Sequence, residues 1–184
     1  MNENRVLFVD LDGTLIKEDL SELAFSHSLK YFPIKTLFYL FIFLFRGKAY
    51  LKDKISKDFT IPFKNLTFNK AAFDFIKEQK NRHRVVYLIS GSHQILVDQM
   101  DRNLNIFFES FGTRDNFNMV GHNKVRFIKE NLKIHDFDYL GNSHKDLPIW
   151  KYTKKSIHTN ATQKLIKTIK SLDFEDREIP ANFS

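Results

Sequence analysis

Arg5-Val6-Leu7-Phe8-Val9-Asp10-Leu11-Asp12-Gly13-Thr14 is the stretch that decides the fold: an apolar run with an arginine at its edge stops on two carboxylates and a tight turn. A short apolar run bounded in this way reads as a buried strand whose carboxyl end reaches solvent. Residues two apart in a strand share a face, so Asp10 and Asp12 lie close together while Leu11 points into the core. Gly13 lets the backbone swing away with a positive φ. Two anions held together require a cation. An isolated Asp-x-Asp is also the simple acidic turn that caps a following helix, and the rest of the chain has to decide between the two.

Three further landmarks, in order, favour the first. The run Val85-Val86-Tyr87-Leu88-Ile89 ends in Ser90-Gly91-Ser92 and then a helical pattern. A hydroxyl and free N–H groups at a helix N-terminus make a phosphate cradle, although Ser90 alone also reads as a helix cap. Lys124, in Gly121-His122-Asn123-Lys124, heads a helix with apolar positions Val125, Phe127, Ile128 and Leu132. A lysine in a first turn opposes the macrodipole, which points to another use for its charge than solvation. Finally, Phe137-Asp138-Tyr139-Leu140 is a strand ending in Gly141-Asn142-Ser143, with Asp146 four residues past Asn142. Oxygen donors at this third strand end complete a site for a hard cation.

Taken in order, these motifs resemble those of the haloacid dehalogenase-like (HAD) phosphohydrolases: an Asp-x-Asp-x-Thr strand end, a Ser or Thr after the second core strand, a Lys, and an acidic strand end. The likeness runs from about Arg5 to Ile169. Within that superfamily, Asn65-Leu66-Thr67-Phe68-Asn69 and the stretch from Phe137 to Trp150 look like the HAD domain at the N-terminus of polyprenyl-group transferases of the ubiquinone-biosynthesis type. One position departs from the pattern: Asn142 stands where the first acid of the last motif is expected. A carboxamide oxygen still ligates a cation, but the site carries one negative charge less.

Short apolar runs alternate with helical patterns, the signature of βα units and a parallel sheet. Strands are expected at Arg5–Val9, Arg84–Ile89, Ile106–Ser110, Phe137–Leu140 and Ser156–Thr159. Helices are expected at Ala71–Lys80, His93–Asn103, Lys124–Asn131, Asp146–Tyr152 and Thr162–Ser171, the last capped by Asn160 with Gln163. The resemblance implies a three-layer Rossmann-like α/β fold with strand order 5-4-1-2-3, ligands sitting outside the strand ends where the order reverses. The core domain is then 1–14 and 69–172, a small helical cap is inserted between strands 1 and 2 at 15–68, and 173–184 is a flexible tail.

Within the inserted segment, Asp19 and Glu22 suggest a capped helix start, followed by Leu20, Leu23, Ala24 and His27 on one face. Leu37-Phe38-Tyr39-Leu40-Phe41-Ile42-Phe43-Leu44-Phe45 is continuously apolar and ends at Arg46-Gly47-Lys48. As a helix it spans about 15 Å, half of a ~30 Å hydrocarbon layer, and does not cross a bilayer. It reads either as the buried spine of the cap or as a segment lying at a membrane interface, with Arg46, Lys48, Lys52 and Lys54 beside it.

The chain has 184 residues, 20 of them Phe, no Cys, and a net charge of +7. Absent cysteine excludes disulfides, thiolate metal sites and a cysteine nucleophile, and suits a cytoplasmic setting. Met1-Asn2-Glu3-Asn4 leads straight into a strand, unlike a signal peptide. The positive charge favours anionic partners, yet it is scattered and no nucleic-acid motif is present, so phosphorylated small molecules, lipid phosphates or an anionic membrane surface are the expected partners. Seven histidines show no metal-like spacing between pairs, and His122, next to Asn123-Lys124, is the one to watch.

The resemblance implies a Mg²⁺-dependent phosphatase of a small or lipid-linked phosphomonoester. Asp10 would be the nucleophile, forming an aspartyl-phosphate, and Asp12 the acid and then base. Ser90, Gly91 and Lys124 would hold the phosphoryl oxygens. Asp10, the Asp12 carbonyl and Asn142 would hold Mg²⁺, with Asp146 orienting a water on it. Phosphoserine phosphatase is a rival enzyme reading, against which the Phe-rich cap argues mildly. A HAD-like binding or regulatory module of a membrane prenyltransferase, catalytically weak, is the alternative from another class, and Asn142 is its support.

Overall fold

The computed structural model describes residues 5–114, 117–153, 155–172 and 175–184. Met1–Asn4, Lys154 and the Asp173–Phe174 part of the expected tail lie outside these residues. The first strand, β1 (Val6–Val9), is the centre of the molecule, and its Leu7, Phe8 and Val9 are fully buried. Its alternation divides the interior in two. Leu7 and Val9 join a core containing Leu11, Leu20, Ile76, Leu96 and Leu140, while Phe8 joins one built on Phe137, Tyr139, Trp150, Leu165 and Ile169. Both faces of the sheet are therefore covered, as a parallel sheet requires.

After β1 come helices α1 (Leu20–Tyr31) and α2 (Pro33–Lys57), then α3 (Lys70–Asn81), β2 (Val86–His93), α4 (Gln94–Leu104) and β3 (Ser110–Thr113). Next are α5 (His122–Arg126), prolonged by a π-helical turn over Phe127–Asn131, then β4 (Phe137–Gly141) and a 3₁₀ turn at His144–Asp146 that leads into α6 (Leu147–Trp150). The chain ends with β5 (Lys155–Thr159), α7 (Gln163–Lys170) and β6 (Glu175–Ile179). All strand pairs are parallel, in the order β3-β2-β1-β4-β5-β6. The expected five-strand order is present, with a sixth strand outside β5.

That sixth strand corrects the reading of the C-terminus as a free tail. Glu175 to Ile179 pairs residue by residue with Lys155 to Thr159, and Ile179 is buried in the core. Beyond it, the Ser184 N–H donates to the Phe68 carbonyl at 3.0 Å and the Lys70 N–H to the Asn182 carbonyl at 2.7 Å. An edge strand is held by its main chain, so a polar sequence such as Glu-Asp-Arg-Glu gives little sign of it.

Two other boundaries shift. β3 is Ser110–Thr113 and not Ile106–Ser110: α4 runs to Leu104, Asn105 takes a left-handed cap with φ 48°, and Phe108 is exposed, its ring edge-on to Tyr87. The cap of α7 is Thr162, whose hydroxyl accepts the Leu165 N–H at 3.2 Å, whereas Asn160 donates to the Gly13 carbonyl at 3.1 Å.

Helices α1 and α2 form an antiparallel hairpin over the carboxyl end of the sheet. Asp19 caps α1, accepting the N–H groups of Ser21 at 2.8 Å and Glu22 at 3.1 Å. Pro33, in the first turn of α2, suits a position whose N–H has no helical partner. Gly47, at φ 78° and ψ −178°, breaks the helix into two arms, a conformation that a side chain would resist. The inner side of the hairpin contributes Leu20, Ala24 and Ile55 to the core. The Phe/Leu run is not its buried spine: Leu37, Phe38, Phe41, Leu44 and Phe45 are all exposed.

Candidate active site

Asp10 follows the last residue of β1, on the same side of the sheet as Phe8, and is almost wholly buried. The Lys124 ammonium, from the first turns of α5, donates to Asp10 Oδ1 at 2.7 Å and to the Tyr139 hydroxyl at 2.7 Å. Tyr139 in turn donates to Asp146 Oδ1 at 2.8 Å. Asp146 Oδ2 accepts the N–H groups of Asn142 at 3.1 Å and Ser143 at 2.9 Å and the Ser143 hydroxyl at 3.1 Å. A chain of hydrogen bonds therefore runs from the end of β1 through α5 and β4 to the loop after β4. Buried charges persist only when partnered in this way.

Asp12 faces elsewhere. At Leu11 the extended strand ends, because the N–H groups of Thr14, Leu15 and Ile16 all turn back to the Leu11 carbonyl. Gly13 makes this turn with φ 75°, and a Cβ there would stand 2.1 Å from Asn142 Nδ2, so a side chain would be strained and would displace the Asn142 carboxamide. Asp12 Oδ1 accepts the first N–H of α1, from Leu20, at 2.8 Å. Its Oδ2 accepts the hydroxyls of Ser90 at 2.7 Å and Ser92 at 2.9 Å.

The sequence places Ser90 at the head of a helix, and the structure corrects this. β2 continues through Ser90-Gly91-Ser92 to His93 with a register shift against β3 between Ile89 and His93, and His93 caps α4. Ser90 is fully buried, spending its hydroxyl on Asp12 and accepting the Ser92 N–H at 2.9 Å. Gly91 and Ser92, not Ser90, reach the cavity wall.

That cavity, of about 730 Å³, opens between the strand ends and the helical hairpin. Its floor holds Asp10, Asp12, Gly13, Lys124, Asn142 and Asp146. Its roof includes Glu22, Phe25, Phe43, Lys48, Leu51 and Lys52. Lys52 donates to the Gly91 carbonyl at 2.5 Å and to Asn118 Oδ1 at 3.1 Å, tying α2 to the strand end below it. His122 is exposed at the start of α5.

Burial dominates the electrostatics. It pushes the Asp10 carboxyl up to about 7 despite the opposing pull of Lys124, and the neighbouring Asp146 and Asp12 charges push the same way. Burial, then the Asp19 charge, raises the Asp12 carboxyl against the hydrogen bonds from Leu20, Ser90 and Ser92. The Tyr139 hydroxyl is driven well above its ordinary range by burial and by Asp10 and Asp146, so it stays a neutral donor. Burial lowers the Lys52 ammonium.

The donor set suits a hard cation. Among the described residues no hydrogen bond reaches Asp10 Oδ2 or Asn142 Oδ1, and both residues line the cavity. Among the described residues no three His, Cys, Asp or Glu side chains gather as a metal site, and a neutral carboxamide, Asn142, lines the cavity with Asp10. A cation beside Asp10 would offset the burial that raises its carboxyl.

The sequence reading missed Tyr139, Ser92 and Lys52. In the sequence Tyr139 shows only as a strand residue; a buried tyrosine hydroxyl needs a partner, but the sequence does not say which. In the sequence Lys52 belongs only to the basic run after Phe45.

A sequence profile described as haloacid dehalogenase-like hydrolase matches residues 7–151. Over 152 residues the chain is 30% identical to an uncharacterized protein, y4nM, of Sinorhizobium fredii (strain NBRC 101917 / NGR234), with 78% of this chain and 28% of that protein covered. The chain thus spans less than a third of that relative's length. A Bordetella pertussis Tohama I protein of unknown function has a similar structure, with TM-score 0.66, 13% identity, and 94% of this chain and 97% of the other covered. So does a substrate-bound phosphoserine phosphatase, with TM-score 0.62, 18% identity, and 96% and 93% covered. At such identities the two structures speak for the fold. The matched profile takes in the end of β1, β2, α5 and the loop after β4, the elements that meet at Asp10, and the chain belongs to the haloacid dehalogenase-like hydrolase family.

Proposed function

We propose that this chain is a Mg²⁺-dependent phosphomonoester phosphatase working through an aspartyl-phosphate. The observation that carries the reading is the Lys124 ammonium 2.7 Å from Asp10 Oδ1 on the floor of a large cavity, with Oδ2 accepting no hydrogen bond from the described residues. Oδ2 attacks phosphorus as the ester P–O bond breaks, and Asp12 gives its proton to the departing oxygen. Water then cleaves the acyl-phosphate, returning a proton to Asp12 and releasing inorganic phosphate. The Ser90 and Ser92 hydroxyls rotate freely enough to follow Asp12 between its charged and neutral forms. Lys124 balances charge on the non-bridging oxygens, and the cavity edge at Gly91 and Ser92 receives them. Tyr139 and Asp146 hold Lys124 in place.

The Asp10 carboxylate, the Asp12 carbonyl and the Asn142 carboxamide would hold Mg²⁺, which when bound neutralises charge between nucleophile and phosphate. Phe25, Phe43, Leu51 and Ile55 along the helical side support a leaving group with an apolar part, small or lipid-linked, over serine. A second reading, a weakly catalytic regulatory module of a membrane prenyltransferase, is favoured by one residue, Asn142. Hydrolysis of p-nitrophenyl phosphate with and without Mg²⁺ separates the two. Turnover that needs Mg²⁺ and vanishes in Asp10→Asn supports the phosphatase, and turnover equal in wild type and Asp10→Asn removes Asp10 from the nucleophile's role. A screen of phosphorylated metabolites and prenyl phosphates then defines the leaving group.

A further inference from the structure

Among the described residues, the outer face of the first arm of α2 has no partner. Ile34 is 86% exposed, Leu37 69%, Phe38 59%, Phe41 61%, Leu44 72% and Phe45 77%. At about 100° per residue these six side chains fall within about 120° of one another, one continuous stripe along a helix. Leu29, Tyr31 and Phe32, at the end of α1, extend it around the tip of the hairpin and are exposed too. A soluble monomer rarely shows so long an apolar face to water.

Charge identifies the occupant. From Leu23 to Lys52 the chain contains no Asp or Glu, while Lys30, Lys35, Arg46, Lys48 and Lys52 all fall in it. Lys30 and Arg46 border the stripe on aromatic rings, Lys30 5.3 Å from the Tyr31 ring centre and Arg46 5.4 Å from that of Tyr50, whereas Lys35 is paired with Asp58 and Lys52 is turned inward onto the Gly91 carbonyl. An apolar stripe edged by cations, with aromatic rings between, matches an anionic lipid surface, whose headgroups meet the cations as its acyl chains receive the Phe and Leu side chains. A second copy of the chain would instead bring like charges together.

We propose that the tip of the α1–α2 hairpin docks on an anionic bilayer, with the first arm of α2 lying in the interfacial plane. The arm is about 21 Å long, shorter than the hydrocarbon layer. Among the described residues no helix is long and apolar enough to cross a membrane. Phe43 on the inner side of this arm, and Lys48, Leu51 and Lys52 on the second arm just past Gly47, line the cavity, so docking holds the cavity close to the lipid headgroups.

Flotation of the whole protein with vesicles of phosphatidylcholine, alone or mixed equally with phosphatidylglycerol, tests this without reading turnover, so its outcome is separate from that of the phosphatase assay. Wild type should float with the anionic vesicles, and less as salt is raised. Phe41→Ser with Phe45→Ser, both outside the cavity and exposed, should retain the fold by circular dichroism and lose about tenfold or more in partition. Lys30→Ser with Arg46→Ser should reduce the preference for phosphatidylglycerol. Wild type that stays with neither vesicle, a Phe variant that floats as well as wild type, or a wild type that dimerises through these residues without binding vesicles would each overturn the proposal.

Discussion

The Lys124 ammonium and the Asp10 carboxylate, 114 positions apart in the chain, meet at 2.7 Å inside the protein, and Tyr139 holds the lysine from the other side. If Lys124 balances charge that grows on the phosphoryl oxygens, Lys124→Met should lower kcat on the order of 10²–10³-fold with a smaller effect on KM. Steady-state kinetics on p-nitrophenyl phosphate checks this, and an unchanged kcat would confine Lys124 to a structural role.

Asp10 provides a pH signature. Its carboxyl is pushed up to about 7, against an ordinary value of 3.8, so between these limits the folded protein keeps a proton that the unfolded chain has lost. Stability from this group is therefore fully present below about 4, falls as pH rises toward 7, and is level above. Carbon NMR of the Asp10 carboxyl, without divalent ions, should titrate near 7. Mg²⁺ should move that midpoint down and release about half a proton per site at pH 7, measurable by calorimetry in buffers of different ionisation enthalpy. A midpoint at the ordinary value would remove the effect of burial.

Asn142→Asp puts a further carboxylate on the cavity floor that holds Asp10. Mg²⁺ affinity should rise about tenfold in titration calorimetry, since one more charged oxygen faces the ion. Equal affinity in the two proteins would mean that residue 142 does not ligate it.

Tyr139→Phe leaves the buried Asp146 Oδ1 without its donor and Lys124 without one acceptor. A loss of about 1–3 kcal/mol is expected, lowering Tm by roughly 2–10 °C. Activity should fall as well, because Lys124 is no longer held on two sides.

Asn69 joins three distant parts of the chain. Its side chain donates to the Thr14 carbonyl at 3.1 Å and the Thr159 hydroxyl at 3.0 Å, and accepts the Asn182 N–H at 3.1 Å. Asn69→Ala should cost about 2–4 kcal/mol in urea unfolding and raise amide exchange in 180–184, whereas a purely local cap to α3 would leave that exchange unaltered.

What the sequence by itself determined was whatever rests on local pattern. The apolar run into Asp10, the positive φ of Gly13, the Asp19 cap and the alternation of strands and helices are properties of neighbouring residues, and motif order was enough to bring Asp10, Lys124, Asn142 and Asp146 into one list. Tertiary structure decided the rest, because it depends on partners far along the chain. Only packing turned Ser90 onto Asp12, set Tyr139 between Lys124 and Asp146, brought Lys52 down to Gly91, and gave the polar C-terminal segment the free edge of β5 to pair with. The Phe/Leu run shows the reason most plainly. A helical stripe of apolar side chains has the same period whether it faces a core or a lipid surface, and the fold alone left this one turned outward.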